Sequence, residues 1–164
     1  MAIKSFIYDK NQVFNYAKEW AYKRNPKYYD FSFLGGDCTN FCSQCIFAGA
    51  PQMNYLKTFG WYYINLNNRS PSFTGVEYLY NFLVSNEGVG PYGEPCSLSE
   101  VDVGDVVQLG TLNGDFYHSP IVTEVYNNNV FVSAHSFDAF NRNLASYSYQ
   151  TIRCVHILGY RKEE

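Results

Sequence analysis

Cys38 stands in the run Gly35-Gly36-Asp37-Cys38-Thr39-Asn40, where a Gly-Gly turn gives way to residues with helical spacing. A thiol in the first turn of a helix is set up for nucleophilic chemistry. The unpaired N–H groups and partial positive charge of a helix N-terminus favour thiolate over thiol and can hold an oxyanion beside it. Asp37 is the expected N-cap, which leaves Cys38 at the first helical position. Amide hydrolysis by a cysteine also needs an imidazole to move the proton and a third group to fix that imidazole's tautomer. His118 and His135 follow on strand-like segments, with Asp138 just beyond. His118 is the expected base. His135, brought close by an antiparallel neighbour strand, and Asp138, a better acceptor for a ring N–H, are the alternative third members. The Cys38 backbone N–H would be one oxyanion donor, and a hydroxyl from Tyr28 or Tyr29 a second.

Each of these residues also has a purely structural reading. Cysteine is among the most buried residue types, and that reading suits Cys42 and Cys45. Cys38, Cys42 and Cys45 superficially match an iron–sulfur spacing, yet they share one helical face, and Gln44 stands where that motif carries an aromatic residue. No second ligand pair at zinc spacing accompanies them. Neither a metal nor an organic cofactor is therefore expected. Asn40 and Gln44 either bind substrate or satisfy nearby backbone. Tyr29 and Trp61, with Tyr28, Tyr62 and Tyr63 beside them, either line a groove for a peptide or sugar or pack in the core. His156, inside a strand pattern, reads as structural.

The elements that must position these groups follow from periodicity. Residues 9–24 read as a helix with Asp9 as N-cap, Gln12 at the capping-box position and Val13, Tyr16, Ala17, Trp20 and Ala21 on one stripe. Asn25-Pro26 stops it. An irregular aromatic stretch leads to a second helix over 38–48, apolar on most sides and so expected to be buried. A loop over 55–73 precedes a third helix that Thr74 and Glu77 open as a capping box, and residues 88–95 read as turn. Residues 104–110, 117–125, 129–135 and 151–160 read as strands of an antiparallel sheet or half-barrel. Helices first and strands second predict an α+β architecture.

Composition sets outer limits. The 164 residues suit one domain, 1–164, large enough to bury a core, and 16 Tyr with 13 Phe argue for order. A formal net charge of -3 leaves no electrostatic footprint for nucleic acid. Five cysteines, an odd number, make a disulfide framework a poor description. No run has the length of a secretory signal or a membrane span, and a monomer is the expected state.

The runs GGDCTNFCSQ at 35–44, WYY at 61–63, GVEYLYNFL at 75–83, GDVVQLG at 104–110, FYHSPIVTEV at 116–125 and AHSFDAFNRNLASY at 134–147 resemble, in that order, an amidase-domain family of Gram-positive bacteria and their phages. That family is similar to the papain-like NlpC/P60 and CHAP cysteine peptidoglycan hydrolases. The resemblance extends from about Tyr8 to Gly159; Cys42 and Cys45 depart from its small or apolar residues. It implies a papain-like fold, with the nucleophile helix packed on a C-terminal antiparallel sheet or half-barrel. It also implies a cysteine-dependent amide hydrolase using Cys38, His118, and His135 or Asp138. The implied substrate is peptidoglycan, cut as by an N-acetylmuramoyl-L-alanine amidase or a stem-peptide endopeptidase of endolysin or autolysin type. The implied site of action is the bacterial cell wall, reached by phage lysis or as a domain of a secreted protein. Two other readings compete: an inactive module that binds wall glycopeptide, and an acyl transferase working through the same thioester.

Overall fold

The computed structural model describes residues 2–164. In chain order the elements are β1 (Ile3–Phe6), α1 (Lys10–Trp20), α2 (Cys38–Gly49), β2 (Tyr63–Asn65), β3 (Asn68–Arg69), α3 (Pro71–Thr74), α4 (Val76–Ser85), β4 (Gly90–Cys96), β5 (Val106–Gly110), β6 (Phe116–His118), β7 (Ile121–Tyr126), β8 (Asn129–Ala134), β9 (Ala139–Asn143) and β10 (Thr151–Glu163). The architecture is α+β, with helices concentrated in the first half and a curled antiparallel sheet in the second. Its strand order is β1-β10-β5-β7-β8-β9, with β4 added on β10 and β6 on β5.

Alternation along the strands explains how the sheet covers both faces. Val106, Ile121 and Val155 join Phe41, Cys42, Cys45 and Ile46 of α2 and Val13 and Ala17 of α1 in the main core. Their neighbours Val107, Val122 and Cys154 point the other way, into a second core with Leu109, Val132 and Leu144. The sheet therefore packs on the helices with one face and closes on itself with the other. Helix α2 is buried at every position from Cys38 to Ile46, which makes it the axis of the molecule.

Helix α1 begins as its sequence predicts, with the Asp9 side chain accepting from the Gln12 N–H, but it ends at Trp20 rather than 24. It lies so close to α2 that a Cβ on Gly49 would meet the Asp9 carbonyl and Val13 Cγ2 at 2.6 Å each.

Three expectations need correction. Residues 88–95 are not a turn: Gly90–Cys96 form β4, registered against β10 from Cys154↔Cys96 to Arg161↔Gly90. β4 pairs on β10 alone, the kind of edge position that accommodates Pro91 and Pro95. Thr74 does not cap the third helix. It closes α3 and accepts from Arg69, Gly75 takes the cap position of α4, and Glu77 instead pairs with Arg153. The loop over 55–73 contains the short β2–β3 hairpin and leads directly into α3.

Candidate active site

Cys38 and His118 line one cavity of about 490 Å³. The Gly35-Gly36 turn, Ser136 and Phe137 of the β8–β9 hairpin, Tyr117, Arg142 and Tyr147 share its wall. Both glycines sit in the left-handed region, at φ +86° and +97°, and this turns the chain sharply into α2.

Two hydrogen bonds tie the start of α2 to the strand that carries His118. The Cys38 thiol donates to the carbonyl of Tyr117 (3.9 Å), the residue before His118. The Thr39 hydroxyl donates to the hydroxyl of Ser119 (3.2 Å), the residue after it, and Ser119 also receives the Gln108 side-chain amide at 3.0 Å. His118 is thus held between two anchored neighbours. Among the described residues no hydrogen bond joins the thiol to the imidazole themselves, a gap of the kind that catalytic pairs often close only when substrate is bound.

The electrostatics differ from the expectation of a thiolate poised at a helix end. Burial pushes the Cys38 thiol up, and the Asp37 charge adds to this, against the Thr39 hydroxyl and the Thr39 and Ser119 amides, which pull it down. Burial first, and the Arg142 charge second, push His118 down to about 4. Both shifts favour neutral groups, so the resting pair is thiol and imidazole. Desolvation is the largest cause of both shifts.

Asp37 does not cap α2 with its side chain. Its Oδ1 accepts from the Phe31 N–H (2.8 Å) and the Asn40 amide (3.0 Å), and its Oδ2 lies 2.5 Å from Nδ1 of His135. The other ring nitrogen of His135 lies 2.9 Å from the Trp20 carbonyl, and the ring stacks on Phe41 with centroids 4.0 Å apart. A carbonyl can only accept, so Nε2 carries a proton. His135 is therefore spoken for by Asp37 and Trp20 and does not orient His118. The reason is topological: 116–125 breaks at Ser119-Pro120 into β6 and β7, β8 pairs with β7, and β6 pairs with β5. Asp138 is likewise engaged elsewhere, in a two-pronged pair with Arg24 at 2.9 and 3.1 Å.

The expected binding residues scatter. Trp61 is fully buried, donating to Ser43 and packing on Phe73 and Phe82, so it is core and not groove. Asn40 is buried, giving its amide to the Tyr29 carbonyl and Asp37, while its Oδ1 has no partner among the described residues. Tyr29 keeps an exposed ring against Phe31 and lies outside the Cys38 cavity; Tyr28 packs on Tyr63 and Phe73, and neither is an oxyanion donor there. Gln44 accepts from Tyr16. His156 donates or accepts at Asp105, 2.8 Å away, outside the cavity.

Sequence reasoning did not single out Tyr117, Phe137, Arg142 and Tyr147, which the cavity does contain. The available signal was a solitary arginine in the Asn141-Arg142-Asn143 stretch, within the same run that carries His135.

Residues 7–158 match the family described as "Putative amidase domain". The chain belongs to that family. Membership supports an amidase-type hydrolase. A relative, "Uncharacterized protein YhbB" of Bacillus subtilis (strain 168), is 31% identical over 140 residues, covering 83% of this chain and 44% of its own length. The chain therefore spans less than half of that relative. No solved structure matches the chain. Among the described residues no helix is long and apolar enough to cross a membrane.

Proposed function

We propose that this domain of the amidase family is a cysteine-dependent hydrolase of bacterial cell-wall peptidoglycan, on a papain-like plan related to the NlpC/P60 and CHAP enzymes. The observation that carries this reading is the shared cavity of Cys38, at the start of a buried helix, and His118, on a strand tied to that same helical turn. As the Cys38 sulfur attacks the amide carbonyl, its proton passes to the free imidazole of His118. The negative charge on the carbonyl oxygen is met by backbone N–H groups of the first turn of α2, which Asp37 leaves uncapped. His118 then gives its proton to the nitrogen of the breaking C–N bond, and the amine leaves. Water attacks the thioester, losing a proton to His118. Sulfur departs with that proton, releasing the acid and restoring the thiol. The bond cut is either the muramoyl–L-alanine amide or one within the stem peptide, and the domain works as a monomer at the wall without a cofactor.

Digestion of purified peptidoglycan by the wild type and by Cys38→Ala, with the released ends read by mass spectrometry, tests this. New amines from the wild type alone support it; new reducing sugars, or equal release by both proteins, overturn it.

The raised thiol favours one second reading, a wall-glycopeptide binding module without turnover. Iodoacetamide separates the two. A working site labels Cys38 faster when substrate peptide is present, whereas an inert module labels it slowly in either condition.

A further inference from the structure

Among the described residues of the cavity wall, Arg142 is the one that is formally charged at physiological pH. Its side chain is held rigidly. Nε donates to the Ser146 hydroxyl (2.8 Å), one Nη donates to the Ser146 carbonyl (3.1 Å), and the guanidinium lies over the Tyr147 ring at 3.7 Å. Among the described residues no carboxylate lies within 4.0 Å of the group. Arg24 and Arg153, by contrast, each hold an acidic side chain.

An arginine pre-oriented in a cavity wall without a counter-charge lacks what a planar anion would supply. We propose that Arg142 is the specificity-determining residue of the cavity, reading a carboxylate that the substrate carries close to the scissile amide. This rests on the hydrolase reading of the same cavity and goes beyond it by naming the charge and class of the substrate: a peptide amide with a free acid beside the bond that breaks. Such a carboxylate also offsets the positive charge beside His118, so the correct substrate strengthens the base that must take the thiol proton.

Muropeptides released from purified peptidoglycan are compared with the same muropeptides after carbodiimide-driven amidation of their carboxylates. The wild type should cleave the acid forms with kcat/KM about tenfold or more above the amidated forms, the difference a charge-assisted hydrogen bond makes. Arg142→Gln should erase that preference, mainly by losing the acid substrate, and Arg142→Lys should keep part of it. Equal cleavage of both forms by the wild type, or equal losses on both forms in Arg142→Gln, overturns the proposal while leaving the hydrolase reading intact. A second arm is independent of turnover. The folded Cys38→Ala protein is titrated with N-acetyl-alanine and with N-acetyl-alaninamide while the Arg142 Nε–H resonance is followed. Displacement by the acid alone supports the proposal even if no muropeptide is cut. Equal displacement, or none, overturns it.

Discussion

Nδ1 of His135 and Oδ2 of Asp37 lie 2.5 Å apart, both side chains almost fully excluded from solvent, and Asp37 directly precedes Cys38, the residue that opens α2. The pair joins the end of β8 to the turn into α2, so it sets the position of the Cys38 backbone. His135→Ala should cost about 1–3 kcal/mol, the range for leaving a buried hydrogen-bonding group without its partner. Urea unfolding measures it. The pH profile of the surviving folded enzyme should keep its wild-type position, because His135 exchanges no proton with the reaction; a displaced acid limb would make it part of the catalytic relay.

His118 sets a different dependence on pH. Its imidazole, pushed down to about 4 in the fold against about 6.5 in the unfolded chain, binds its proton more readily when unfolded. Its contribution to stability is therefore complete above about pH 6.5 and is lost as the pH falls through about 4. Unfolding midpoints across this window should drop toward acid, and His118→Asn should flatten part of the slope. For the same reason, in the proposed mechanism turnover should persist well below neutrality, since there the free imidazole takes the thiol proton.

Arg142 is one of the two causes of that downward shift. Arg142→Gln should move the acid limb of kcat/KM to higher pH while the protein stays folded. An unmoved limb would separate Arg142 from His118.

Gly36, at φ +97°, has only the Ser136 hydroxyl near the position a Cβ would take, at 3.7 Å. Space is therefore not the obstacle to a side chain; backbone conformation is. Gly36→Ala should lose about 1–2 kcal/mol, and Gly36→Asn less, because Asn enters the left-handed region more easily. Calorimetric unfolding distinguishes the two.

Trp61 offers a test of core against groove. Trp61→Phe should lower stability by roughly 1–3 kcal/mol through the void it leaves. KM should not change, since the indole is closed off from the cavity.

Legibility followed the range of the interactions involved. The stretch beginning at Cys38 could be read as a buried helix because its apolar periodicity is local, and β5, β7, β8 and β10 could be read from their β-branched runs. Strand β4 could not. Its Gly and Pro content argues against a strand until β10 is present to pair with it, and β9 is similarly polar, with the sequence AFNRN. Residues such as Asp37, His135 and Asp138 carry obvious chemistry, but which partner each takes is decided across the fold: Asp37 and His135 meet over a separation of 98 residues, and Arg24 reaches Asp138 over 114. Arg142 passed without notice for the converse reason. Its significance is the lack of an acid near it, and no local pattern encodes that.

Strand β10 ends in a register where Ile3 faces Glu163 and Lys4 faces Lys162, with Lys4 also bridging to Glu164. Entry to and exit from the fold consequently lie side by side. A passenger fused before Ile3 and another fused after Glu163 would emerge from the same corner, and joining these two strand ends with a short linker while opening the chain at an exposed turn such as Asn127-Asn128 should yield a permuted domain with its Cys38 cavity intact.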